Sequence, residues 1–134
     1  MDILMTITPI YAAILAFIFI FLSAQVIKLR RIHQVSLGDN DVPALRKAIA
    51  VHSNFAQYVP FSLLLIAIVE LNHAPAYLIH GQGIALVIAR IAHAYGLAQP
   101  KQIMKLRQIG VIVTFTVMIF AALILLFQAL RTFF

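Results

Sequence analysis

Arg46 to Pro60 reads RKAIAVHSNFAQYVP and leads without a turn signal into the apolar run Phe61–Val69. On an α-helix Asn54, Gln57, Tyr58 and Phe61 fall at i, i+3, i+4 and i+7 and share one face. Lys47 lies two turns earlier on the same side. His52 is about 200° away from Asn54 around the axis and points elsewhere. Polar groups entering a helix this apolar are costly unless they find partners. The stretch therefore predicts a membrane helix whose first turns form a site between helices or between subunits.

The rest of the chain agrees with a lipid setting. Of 134 residues, 63% are hydrophobic and only 10% charged, and the mean hydropathy is +1.02. No ordinary soluble domain of this size can bury so much apolar surface. A spanning helix needs about 20 apolar residues, and four such runs fit with short connections. The expectation is all-α: one domain over residues 1–134, an integral membrane four-helix bundle with four transmembrane helices. Ile3–Ile27 is too long for a signal peptide and lacks a basic start and a cleavage site, so it reads as a retained first span.

The net charge of +6 follows membrane orientation rather than nucleic acid. Lys28, Arg30, Arg31, Arg46 and Lys47 flank the first connection, Arg90, Lys101, Lys105 and Arg107 flank the third, and Arg131 alone lies at the opposite end. By the positive-inside rule both basic connections are cytoplasmic and both termini are not. There is no cysteine, so any thiol chemistry must come from a small molecule.

Helix 1 is expected from about Ile3 to Arg30. The loop HQVSLGDNDVP (33–43) carries the turn formers Gly38, Asp39, Asn40 and Asp41, with Asp41 placed to cap helix 2 and Pro43 in its first turn. Helix 2 follows from about Val42 to Leu71, with Pro60 inside it as a kink point. Glu70, Asn72, His73 and Pro75 read as a solvated outer turn. Helix 3 covers about Ala76 to Leu97, with Gly81 and Gly83 permitting close contact. Arg90 and His93 share a face near its inner end, and Tyr95 is on another. Arg90 lies deeper than an interfacial anchor needs, which makes it a candidate functional residue. Helix 4 covers about Gln102 to Phe133, with Arg107 in its first turns and Gly110 and Thr114 as a small-xxx-small pair.

The polar groups collect at the basic end: Arg30, Lys47, His52, Asn54, Gln57, Tyr58, Arg90, His93, Tyr95 and Arg107. The set is cationic and contains no carboxylate. That excludes a carboxylate acid/base pair and a calcium or magnesium site. Two histidines alone do not make a zinc site, and no metal is expected. The pocket suits an anionic, partly hydrophobic ligand or a thiolate. Arg30 either anchors helix 1 at the interface by snorkelling or turns inward to the ligand. Arg107, near a helix N-terminus, either anchors helix 4 or lowers a thiol's pKa through its charge and the local dipole.

Four segments in this order, QVIKLRR (25–31), HSNFAQYVP (52–60), ARIAHAYGL (89–97) and LRQIGVIVT (106–114), resemble the MAPEG family, membrane-associated proteins in eicosanoid and glutathione metabolism, in its bacterial branch. The resemblance covers most of the chain. It implies a homotrimer that binds glutathione as co-substrate in clefts between subunits near the cytoplasmic face. Arg30 would approach the ligand from helix 1, and Lys47 stands where relatives often carry arginine. Asn54, Gln57 and Tyr58, with His52 in the same motif, would hold the peptide. Arg90, His93 and Tyr95 would line the site from helix 3, and Arg107 would be the catalytic residue that stabilises the thiolate. Gln57 replaces the family's usual glutamate and Ala50 a frequent arginine, and both changes weaken the expected grip on glutathione.

Two functions follow from the resemblance. One is an inner-membrane glutathione transferase or peroxidase acting on hydrophobic electrophiles that arrive through membrane lipid. The other is a non-catalytic lipid- or small-molecule-binding trimer. A small proton-coupled exporter is a third class, disfavoured because helix 1 lacks a carboxylate.

Overall fold

The computed structural model describes residues 4–134. They form four helices and no strand: α1 Thr8–His33, α2 Pro43–Leu71, α3 Ala76–Ala98 and α4 Met104–Phe133. The expected boundaries of helices 2 to 4 hold to within a few residues, whereas α1 begins at Thr8 rather than near Ile3: residues 4–7 are not helical, Pro9 sits in the first turn, and Ile3 itself lies outside the described residues. Helices α1, α2 and α4 are long and apolar enough to cross a membrane. In α3, 23 residues long, the apolar pattern is diluted by His80, Gln82, Arg90 and His93.

Helices α2 and α3 are central. Each touches the other and α4, α3 packs most extensively on α4, and α1 lies against α2 and α3 without reaching α4. Leu15, Phe55, Ile66, Leu86 and Val117 belong to one buried cluster joining all four helices. The outer faces carry large apolar side chains such as Phe17 (73% exposed), Ile112 and Phe127. Such a surface is tolerated where lipid is the solvent. Without a hydrophobic drive between helices in lipid, close packing at small residues holds them together. A Cβ on Gly110 would sit 2.6 Å from the Ala89 carbonyl and from His93 Cβ, so α4 crosses α3 backbone to backbone there. Thr114, one turn on, is also buried. Gly83 makes room for the ring of Tyr11, whereas Gly81 faces open space and contributes no contact.

Two expectations at the helix ends are corrected. Glu70 is not a solvated loop residue. Its Oε1 accepts from the backbone N–H groups of Thr6 (2.8 Å) and Ile7 (2.7 Å), and its Oε2 from Thr8 (2.7 Å). It therefore caps α1 from the far end of α2, answering the orphan donors and positive dipole of a helix start. Asn72, in the same turn, bonds Gln128 of α4. Asp41 does not cap α2. The cap position is Val42, and the Asp41 carboxylate accepts from Arg46 Nη2 at 2.7 Å. Helix α2 runs unbroken through Pro60, whose ring is on the exposed side.

Candidate active site

Three helices bring five of the expected residues together. Asn54 and Tyr58 come from the first half of α2, Arg90 and His93 from the last third of α3, and Arg107 from the first turn of α4. Asn54 Oδ1 accepts from Arg90 Nη2, which leaves the Asn54 amide N–H groups to donate outward. The Tyr58 ring meets Phe115 of α4 edge-on, centroids 5.4 Å apart. Tyr58 is the titratable neighbour of Arg90, and Arg90 and Arg107 are the charged neighbours of His93.

Small residues set the spacing. Gly110 lies directly on His93, and Arg107, one turn earlier on α4, shares that face. Gly96 of α3 lies under the start of α4. A Cβ there would sit 2.9 Å from the Ile103 carbonyl and 3.0 Å from the Arg107 nitrogen. The Gly96 carbonyl accepts from the Ile103 N–H at 2.9 Å. Gly96 thus seats the first turn of α4 against α3 and places Arg107. It stands inside ARIAHAYGL, yet its role depends on a contact that its own helix does not reveal. Phe55 was likewise silent in the sequence: its ring lies 5.8 Å from the Arg90 guanidinium carbon.

The electrostatics are lopsided. Arg90 is 1% exposed and His93 2%. Arg90 Nε and Nη1 and His93 Nδ1 are buried without a hydrogen-bond partner. Among the described residues the only ion pairs join Arg46 to Asp39 and Asp41 at 2.8 and 2.7 Å, and Glu70 is engaged at the other end of the molecule. Among the described residues no carboxylate compensates Arg90. An uncompensated buried charge costs several kcal/mol, so the cluster favours an anion within reach. Arg107 is only half-buried and donates from Nη1 to Gln102 Oε1 at 2.8 Å, which leaves its cation facing the open side.

The other expected residues lie elsewhere. Gln57 is exposed, at the open edge of the stripe that carries Asn54 and Tyr58. His52 Nε2 bonds Ser23 Oγ at 3.0 Å, and its ring stacks on Phe19 of α1. Lys47 Nζ donates to the carbonyls of Gln99 (2.9 Å) and Pro100 (2.8 Å) at the end of α3. Tyr95 is exposed on the opposite side of α3, beside Phe17 and Phe21 of α1. Arg30 Nη1 donates to its own loop, at Gly38 O (2.8 Å) and Val35 O (3.5 Å).

Comparison with known proteins shows the family. The model of the MAPEG family matches residues 8–127. The chain belongs to the MAPEG family. Inner membrane protein YecN of Escherichia coli (strain K12) is 32% identical over 90 residues, 67% of this chain and 69% of that protein. The YecN protein of Escherichia coli O6:H1 (strain CFT073) matches to the same extent. No solved structure matches. This MAPEG chain is thus a membrane protein whose polar cluster draws on three of the four segments that carried the resemblance: HSNFAQYVP, ARIAHAYGL and LRQIGVIVT.

Proposed function

We infer that this protein is a glutathione-dependent transferase or peroxidase of the bacterial inner membrane, acting on hydrophobic electrophiles. The observation that carries the reading is Arg90, buried with two unpartnered nitrogens behind Asn54 and next to His93 and Arg107. A cationic, carboxylate-free cluster at the lipid boundary suits an anionic tripeptide bearing a thiol. Asn54 and Tyr58 would bind its peptide, and Arg107 would stabilise the thiolate through its charge and the N-terminal dipole of α4. A free thiol titrates near about 8.5, so a modest downward shift yields useful thiolate at neutral pH. In transfer, the sulfur attacks an electrophilic carbon, and the leaving group departs with its bonding pair. In peroxide reduction, two glutathiones yield one disulfide while the hydroperoxide becomes alcohol and water.

In this reading α3 is the fourth crossing. Its 23 residues span roughly 34 Å at about 1.5 Å per residue, enough for a hydrocarbon core of about 30 Å. Its buried Arg90 and His93 turn toward α2 and α4, and His80 pairs with the Tyr11 hydroxyl of α1 at 2.7 Å. The basic connections face the cytoplasm, both termini lie on the other side, and three copies form the working unit. YecN, named an inner membrane protein, supports the location. Gln57 and Ala50 favour a second reading, a non-catalytic binding trimer. Both are exposed, and neither offers the charge that a glutathione terminus would pair with.

The deciding experiment is an ultraviolet difference titration with glutathione near neutral pH. A thiolate signal that is lost in Arg107→Ala, with activity reduced by about 10²-fold or more, is the expected result. Thermal stabilisation by glutathione without a thiolate signal selects the binding protein. Absence of both overturns glutathione as the ligand.

A further inference from the structure

A groove of about 580 Å³ opens between the basic ends of α1 and α2, with the end of α3 as its floor. Sites for small molecules typically enclose roughly 300–1,000 Å³. The walls are mostly apolar, from Phe21, Leu22 and Leu29 of α1 and Ala48 and Val51 of α2, with Gln25 of α1 as the one polar side chain besides Lys47. Lys47 stands at one end. Its ammonium has three donors and gives two of them to the neutral carbonyls of Gln99 and Pro100. Those carbonyls lie just past the end of α3 and carry only partial negative charge. They position the cation without neutralising it. No carboxylate among the described residues is within ion-pair distance of Lys47. Asp39 and Asp41 both turn to Arg46. Lys101 follows Pro100 and is exposed.

A cation held in place at the end of an apolar trough is complementary to an amphiphile with an anionic head. A soluble anion would satisfy the lysine but leave the trough walls uncovered. A phospholipid does both, and Phe21, 60% exposed on the lipid side, borders the way in. Basic pockets between membrane helices hold anionic head groups in this manner. We propose that this groove binds an anionic phospholipid, its phosphate on Lys47 and one acyl chain along Leu22, Leu29 and Val51. The site is on the α1 side of α2, apart from the Asn54–Arg90 cluster, and does not depend on the glutathione reading.

The test is native mass spectrometry of the purified full chain titrated with phosphatidylglycerol and, separately, phosphatidylcholine. The wild type is expected to retain phosphatidylglycerol preferentially, and Lys47→Met to lower that preference about fivefold, the equivalent of roughly 1 kcal/mol per basic residue near the membrane surface. Ala48→Phe keeps the lysine and fills the trough, so it should expel both lipids. Lys105→Met, outside the groove, should change neither. If Lys47→Met fails to fold for want of its two carbonyl bonds, Ala48→Phe decides: lost lipid supports the site, and undiminished lipid overturns it. Equal retention of the two lipids by the wild type also overturns it. So does inorganic phosphate that stabilises the protein as well as the lipid does, which would mark a simple anion site. Ala48→Phe should leave any stabilisation by glutathione intact, so failure of one reading is distinguishable from failure of the other.

Discussion

Arg90 is an expensive residue where it stands: 1% exposed, bonded only to Asn54, and without an acid among the described residues to balance it. Replacing buried charge with a well-packed apolar group is often neutral or stabilising. Arg90→Met fills a similar volume and frees Asn54, which is half-exposed and can turn to water. The ligand-free variant should therefore melt at the same temperature as the wild type or higher. The rise in melting temperature that a native-state ligand produces should disappear when glutathione is added. Thermal melts with and without glutathione check both arms. A fall in the ligand-free melting temperature would instead make Arg90 a structural residue. At the same scale Asp39 gives a pH prediction. The Arg46 guanidinium and then the Asp41 N–H hold its carboxyl below the ordinary 3.8. A depressed folded-state pKa means that the tie between loop and helix is present above the ordinary carboxylate range and is lost as the pH falls through the lowered value. The Asp39 carboxyl carbon, followed by NMR, should titrate below 3.8, and Arg46→Ala should return it toward that value.

Among the elements, α1 is the least tied down, since it packs on α2 and α3 but not on α4. Its N-terminus has no side-chain cap of its own, and Glu70 supplies one from α2. Losing a helix cap typically costs about 0.5–2 kcal/mol. Glu70→Ala should lower the melting temperature, and hydrogen exchange should report faster opening at Ile7–Ile10 while the α3–α4 contact stays protected. Glu70→Gln, which keeps one acceptor oxygen, should fall between. This contact also shows where sequence reading stops. The spans were legible because lipid demands about 20 apolar residues whatever the partners. The Asn54–Tyr58 stripe and the Arg90–His93 pair were legible because a helix fixes which side chains share a face. The cap was not, because Thr8 and Glu70 are brought together only when α1 docks on α2. The routing of Lys47 to the end of α3 and of His52 to Ser23 likewise depended on helix placement, which residue spacing within one helix cannot give.

On the scale of the whole molecule, the cationic cluster is assembled by α2, α3 and α4, and α1 is on the other side of α2. Arg30 cannot serve the cluster of its own chain. It lies near the last turn of α1 and is bonded to Val35 and Gly38 of the following loop. If Arg30 contributes to the site, it must reach one on a neighbouring copy. A closed ring of identical subunits provides such a head-to-tail contact, in which one face of each subunit meets a different face of the next. The proposed trimer is such a ring. Its consequence is complementation between two damaged chains. Arg30→Ala and Arg107→Ala should each be nearly inactive as pure trimers. In trimers mixed at equal ratio, the two arginines of any one site are drawn from different copies. In a trimer that holds both variants one of the three sites regains both intact residues, so the activity of such mixed trimers should return to about a third of the wild-type level. Sites built within single chains would show no recovery, because each chain would carry its own lesion into its own site. Turnover of co-expressed, separately tagged and tandem-purified variants measures the recovery directly. A mixture as inactive as its parents would place both arginines in a site within one subunit and overturn the shared site.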